Sequence, residues 1–464
     1  MRFSHVWSVD APRFDEPNLV SCAGLVPVLA LAEQTGMEPL LARVRFKASK
    51  VKSGGVNPAG KLGCVIAGMA AGADCIDDLD LIRSGGMPRL CNGVYASATW
   101  GILLREFTFG HTRQLAWAAR AHLVALAART PVLAGAEQRV FLDIDSLLRP
   151  VYGHAKQGAS YGHTKIAGRQ VLRKGLSPLA TTLSTPSAAP VVAGIRLRAG
   201  KAGSGKGAAS MVTEAITTAR AAVPGCDILV RGDSAFGNSH VVTAARAGGA
   251  RFSVVLTKTP TVNRAITAID PHAWTPVHYP GAVGDPDTGE LISDAEVAEI
   301  EHTAFTSTKH PVTARLIVRR VRDRNHSATL FPVWRYHPFF TDNPQQITDA
   351  DITHRHHAII ETVFSDLIDG PLAHLPSGSF AANSAWAICA AMAHNLLRAA
   401  ATLTRNPVAR GATLRRQLIN VPARLVRPQR RPILRLPTHW PWAQQWLALW
   451  HNTFGTRHRP PTAA

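Results

Sequence analysis

The sequence predicts an α/β domain interrupted by a β-rich insertion and preceded by a helical region, and three features carry that expectation. Before residue 135, apolar residues recur at helical spacing. From 136 to 258, short β-branched runs alternate with helical segments. From 259 to 345, Pro, Gly and Asp break the pattern, two alternating segments follow, and helical spacing then resumes. The division is therefore 1–135 helical, 136–258 with 346–403 α/β, 259–345 insertion, and 404–464 tail.

In the first region, Lys61–Ala73 reads as a helix of small residues. Asp74 is placed to cap a helix over Cys75–Arg83, which Gly85-Gly86 ends. Ser97 is placed to cap Ala98–Phe107, and His111–Arg129 is amphipathic. In the α/β region, Gln138–Leu142 leads into a strand with Asp143 and Asp145 near its end. Tyr161–Gln170, then Leu179–Leu183 with Val191–Arg198, are further strand candidates. Met211–Ala222 is a helix, Asp227–Arg231 a short buried strand ending at Gly232-Asp233, Ser239–Ala247 a helix and Arg251–Leu256 a strand. Three strands, helix, strand, helix, strand is the order of a ribonuclease-H-like fold. The insertion strands are Ala314–Val321 and Thr329–Tyr336, and helices return at Asp349–Ile368 and Ala382–Leu403.

Composition narrows the function classes. Hydrophobic residues make up 46% and charged residues 18% of the 464, which describes a packed chain rather than a disordered one. Lys and Arg number 51 against 31 Asp and Glu, a net charge of +20 that favours a polyanionic partner: nucleic acid, an acidic membrane or a ribosome. Helix, glycine turn, helix in the first region is compatible with a helix-turn-helix reader of DNA, and equally with bundle packing. The tail has no Asp or Glu after Asp369 and gathers Arg398, Arg405, Arg410, Arg415, Arg416, Arg424, Arg427, Arg430, Arg431 and Arg435, which reads as a phosphate-contacting surface or a solvated tail. Trp440, Trp442, Trp446 and Trp450 read as packing the tail onto the body. The six cysteines form no C-x-x-C pair, which argues against a cysteine zinc site. Ala23–Ala32 is too short to span a membrane and follows acidic residues where a signal peptide needs basic ones, so a cytoplasmic chain is expected.

Three carboxylates stand out. In Phe141-Leu-Asp-Ile-Asp-Ser146, alternation puts Asp143 and Asp145 on one face. In Val230-Arg-Gly-Asp-Ser234, Gly232 permits a tight exit from a strand. In Ile359-Ile-Glu-Thr-Val-Phe364, a Glu interrupts the apolar run of a helix. A cap or a buried ion pair explains any one of them alone. Together, hard oxygen ligands from separate elements suit Mg²⁺. Two such ions can activate a water or a 3′-hydroxyl and stabilise the leaving oxygen of a phosphoryl displacement.

At these residues the chain resembles bacterial insertion-sequence transposases of the DDE class, in particular insertion-sequence family thirteen-eighty. The resemblance is carried by Leu142-Asp-Ile-Asp-Ser146, Tyr152-Gly-His154, Lys156-Gln-Gly-Ala-Ser-Tyr-Gly162 and Arg231-Gly-Asp-Ser-Ala-Phe-Gly237. It continues in Arg315-Leu-Ile-Val-Arg-Arg320, Trp334-Arg-Tyr-His337, Glu361, Leu375-Pro-Ser-Gly378 and Ala393-His-Asn-Leu396. Ala70-Ala-Gly-Ala-Asp74 and Phe107–Leu115 extend it into the first region. The resemblance implies a ribonuclease-H-like catalytic domain with the β-rich insertion before the Glu-bearing helix. It also implies cut-and-paste movement through terminal inverted repeats, with the first region binding the DNA ends. The implied catalytic and metal-binding residues are Asp145, Asp233 and Glu361, with Asp143 a further candidate ligand. Asp145 is favoured over Asp143 because the small Ser146 follows it. Two Mg²⁺ ions, replaceable by Mn²⁺, and a homodimer on double-stranded DNA are implied. No membrane partner is implied, and the cytoplasmic chain would associate with the bacterial nucleoid.

Candidate DNA contacts are Arg355, His357, Lys165, Arg169, Arg424, Arg427, Arg430 and Arg431, and Trp334 is a candidate for stacking a base. Related enzymes carry Tyr, Arg, Glu and Lys at the positions of His354, His357, Glu361 and Ile368; the Glu is present, but Ile368 cannot replace a charged Lys. A nuclease without strand transfer, or a catalytically impaired DNA-binding relic, shares the other features. Gly200–Gly207 nearly spells a phosphate-binding loop but has Gly207 where Ser or Thr must follow the Lys, so it reads as a flexible basic loop. His354, His356 and His357 are expected on different helix faces rather than in one zinc site.

Overall fold

The computed structural model describes all residues except 1–11, 47–52, 92, 154, 167–168, 204, 278, 280–294, 323–332 and 456–464. His154, named above, and the Lys165 side chain lie outside the described residues.

The chain opens with strand β1 (Leu19–Val20) and helices α1 (Leu25–Gln34), α2 (Met37–Leu41), α3 (Pro58–Ala71), α4 (Ser97–Arg105) and α5 (Phe109–Arg129). The small residues of α3 serve packing: a Cβ on Gly68 would lie 2.2 Å from the Leu79 side chain. Two expected caps differ. The turn after α3 is a 3-10 helix over Asp77–Arg83, and Asp78, not Asp74, accepts from the amides of Asp74 and Cys75. Ser97 lies inside α4 and caps nothing, whereas Thr108 and His111 form a reciprocal box at the start of α5.

Strands β2 (Val140–Ser146), β3 (Arg149–Pro150), β4 (Ser160–Ile166), β5 (Arg169–Ser184) and β6 (Val191–Ala199) precede α6 (Ala208–Ala222), β7 (Ile228–Gly232), α7 (Ser239–Ala247) and β8 (Arg251–Val255). Strand, helix, strand, helix, strand thus follow in the expected order, with one difference. The span expected as a single strand at Tyr161–Gln170 is a hairpin, with β4 turning back into the long β5. Within the sheet β6, β5, β2, β7 and β8 are neighbours; β5 is antiparallel to β2, while β2, β7 and β8 are parallel.

The insertion supplies α8 (Pro260–Thr267), β9 (Thr275–Val277), β10 (Ala295–Ala304), β11 (Val312–Arg322) and β12 (Trp334–Thr341). Of the second expected strand, Thr329–Tyr336, residues 329–332 lie outside the described residues; its described part belongs to β12, which runs on to Thr341 with Pro338–Thr341 buried without alternation. These strands do not form a separate layer: β12 pairs with β8, so the insertion prolongs the same sheet through β11, β10 and β9.

Helices α9 (Ile347–Arg355) and α10 (Ile360–Ile368) follow, joined by a 3-10 turn at His356–Ile359, and then α11 (Phe380–Thr402). Helix α11 is mostly apolar and buried along almost its whole length, its Asn383, His394, Asn395 and Arg398 included. It packs on α3, α5 and β6, so one buried core runs through both the helical region and the sheet. After the short α12 (Gly411–Leu414), strands β13 (Ala423–Val426) and β14 (Ile433–Arg435) form a small sheet with β1, and α13 (Ala443–Phe454) packs on α1. The described part of the tail is therefore packed against the start of the chain. Trp446 is buried and stacks on Trp450, and the Trp440 indole donates to the Gln417 carbonyl. No described helix is long and apolar enough to cross a membrane.

Candidate active site

Apolar alternation buries Val140, Leu142 and Ile144 of β2, and the strand delivers Asp145 at its carboxyl end. β7 lies beside it in parallel, with Asp143 opposite Arg231 and Ile144 opposite Gly232. Carrying that register one residue further places Asp145 alongside Asp233. Gly232 is required there, since a Cβ would stand 2.9 Å from that of the fully buried Phe236. Beyond it, Asp233 accepts from the Ala235 amide at 2.9 Å, a local turn that commits one carboxylate oxygen. Glu361 comes from the exposed side of the first turn of α10, whose Ile360, Val363, Phe364 and Leu367 are buried.

The three carboxylates share one electrostatic environment. The Asp145 carboxyl is pushed up to about 7, first by burial and then by the charges of Asp233 and Glu361, against the Ser146 amide and Arg198. Like charges held together in this way are relieved by a proton or a cation. The donor set, carboxylate oxygens at the carboxyl ends of two central strands and in the first turn of a helix, fits a hard divalent ion. Asp145, Asp233 and Glu361 are not gathered within 4.8 Å of one another; among the described residues, the group of three donors that is so gathered is Asp74, Cys75 and Asp78. There Asp78 is taken by two backbone amides and Asp74 by His374, as in an ordinary turn.

Asp143 is placed differently from Asp145. It is fully buried, and both its oxygens accept from Arg231, at 2.7 and 2.8 Å. Burial pushes its carboxyl upward, and the guanidinium opposes the shift. Sequence reading passed over Arg231, although a charge inside the short apolar strand Ile228–Gly232 was the available signal. It also passed over Arg198, which is pushed down to about 10 by burial and lies within electrostatic reach of Asp145. Arg198 donates to Ser177 and to the Gly203 and Lys206 carbonyls, so it ties the glycine-rich basic loop beside the acids.

The remaining candidates divide by location. Arg355 and His357 lie just before α10; Arg355 covers the Tyr279 ring at 3.8 Å, and His357 is within electrostatic reach of Asp143. His354 and His357 do come together, with rings 5.0 Å apart, because they are three residues apart on a helical path. Their Nδ1 atoms are engaged, His354 by Ser253 and His357 by the His354 carbonyl, and His354 stacks on Phe339. Lys165 lies on β4, and Arg169 is exposed at the start of β5. Arg424, Arg427, Arg430 and Arg431 are exposed on or beside the small sheet, not on the sheet that carries the acids, and Arg424 is paired with Glu16. Trp334 and Trp274 each pack against the Arg320 guanidinium, at 4.4 and 4.2 Å, so one face of Trp334 is occupied.

A family model described as "Transposase DDE domain group 1" matches residues 11–453. Among solved structures, the chain is similar to the piggyBac transposase synaptic complex with hairpin DNA, determined by cryo-EM. The identity is 9%, over 94% of this chain and 82% of that one, with a TM-score of 0.42. No curated protein matches in sequence.

Proposed function

From the premise that this chain belongs to the DDE-domain transposase family, we propose that it cleaves and joins DNA at Asp145, Asp233 and Glu361, acting on the terminal inverted repeats of a bacterial insertion sequence. The observation that carries the assignment is the parallel register of β2 and β7, together with the upward push that Asp233 and Glu361 exert on Asp145. Asp145 is preferred to Asp143 because Arg231 occupies both oxygens of the latter.

Asp145 and Asp233 would each offer a carboxylate to a pair of Mg²⁺ ions, for which Mn²⁺ can substitute, and Glu361 would complete the set. When bound, such ions activate the attacking oxygen and stabilise the leaving one. The chain's own part is to hold the carboxylates on rigid elements. Arg355, His357, Lys165 and Arg169 are proposed to contact phosphates, with Arg424, Arg427, Arg430 and Arg431 as a second basic surface. Insertion-sequence family thirteen-eighty, a DNA-end-binding role for residues 1–135 and a dimer holding both ends complete the proposal.

The test is Mg²⁺-dependent strand cleavage of duplex made from the DNA flanking the reading frame, comparing wild type, Asp233→Asn and Glu361→Gln. Loss of cleavage in both variants is expected, and equal activity in all three removes the assignment. A second reading, a catalytically impaired relic that only binds DNA, rests on Ile368 standing where relatives have Lys. Strong cleavage by the wild type rules it out.

A further inference from the structure

We propose that Arg231 is the positioning residue of the site, one buried guanidinium that ties the two Asp-bearing strands to the segment leading into the Glu361 helix. The inference rests on the assignment of Asp145, Asp233 and Glu361 above. Arg231 is two residues before Asp233 on β7, and its Nε and Nη2 donate to both oxygens of Asp143, two residues before Asp145 on β2. Its Nη1 donates at 2.7 Å to the carbonyl of Thr353, in the last turn of α9, which leads through one 3-10 turn into the Glu361 helix. A single planar fork thus links the two Asp-bearing strands, close to each Asp, to α9, the helix that leads through the 3-10 turn into the Glu361 helix.

The geometry gives the fork little freedom. Arg231 is 1% exposed and Asp143 is fully buried, so neither finds water as an alternative partner. The guanidinium also lies 4.1 Å from the centre of the Phe141 ring. The Thr353 carbonyl lies in the last turn of α9, where a cation is favoured. Sheet hydrogen bonds already fix β2 against β7. The Thr353 contact differs in kind, because among the described residues it joins the Glu-bearing segment to the two Asp-bearing strands at the level of the site. Lysine keeps the charge but cannot reproduce a bidentate bond and a third contact in one plane.

The full chain is compared as wild type, Arg231→Lys, Asp143→Leu/Arg231→Met and Asp233→Asn. Four quantities are read: turnover on the flanking-DNA duplex, affinity for that duplex, Mn²⁺ affinity by titration calorimetry, and thermal midpoint. Arg231→Lys is expected to lose about 100-fold in turnover, the effect of a misplacement of roughly 1 Å. It should lose about tenfold in Mn²⁺ affinity and keep its DNA affinity. The paired apolar variant replaces a buried ion pair by apolar residues and is expected to melt close to wild type while remaining slow. That separation of stability from turnover distinguishes positioning from plain structural support. Wild-type turnover in either Arg231 variant overturns the inference. If Asp233→Asn is inactive while Arg231→Lys is fast, only the positioning role falls; if Asp233→Asn still cleaves, the site assignment falls with it.

Discussion

Asp366→Asn is expected to cost the folded chain about 3–5 kcal/mol, the range for removing one partner of a buried ionic group. Asp366 lies on α10 and is 8% exposed. Arg410 donates to it at 2.7 Å, and its charge also steadies Arg398 and Arg415, both buried. Other donors of those two arginines go to carbonyls, of Ala409 and Pro407 for Arg398 and of Asp369 for Arg415. Three guanidiniums therefore share the charge of Asp366, with Asp369 also acting on Arg415, and the asparagine variant leaves them without the Asp366 charge. Arg410→Gln is the control: its side chain is 46% exposed, so its loss should cost about 1 kcal/mol or less. Urea unfolding followed by tryptophan fluorescence gives both numbers, with the slope expected to stay constant while the midpoint moves. A loss in Asp366→Asn no larger than in Arg410→Gln would refute the reasoning.

Two further outcomes are expected. His122 is buried against Thr35, and burial pushes it down from 6.5 to about 4. Between those values the unfolded chain binds more protons than the folded one, so stability falls as pH drops from 6.5 towards 4, by about 3 kcal/mol at most. Replacing His122 by Leu should flatten that part of the stability–pH curve, as measured by urea midpoints at pH 4.5, 5.5 and 7. Ile368→Lys restores the charge that relatives carry at the end of the Glu361 helix. Cleavage is expected to rise about tenfold, as for one charged phosphate contact, at some cost in stability because Ile368 packs against the core; unchanged cleavage would show that Ile368 is no handicap.

What the sequence by itself determined was local: strand and helix periods along the α/β unit, a glycine exit before Asp233, and carboxylates at element ends. Those features depend on neighbours two to four residues away, and a single sequence records them directly. It also carried the family, because the motifs lie in short contiguous runs. The tertiary structure decided what depends on distant partners. The insertion joins the sheet that carries Asp145 because β12 pairs with β8, and the basic tail turns inward because Arg398, Arg410 and Arg415 surround Asp366. Asp143 and Asp145 look alike in a strand read by alternation, and they separate only when Arg231, from a strand paired across the sheet, takes both oxygens of one of them. A buried charge must find its partner wherever the fold supplies it, and that partner has no fixed spacing in the chain.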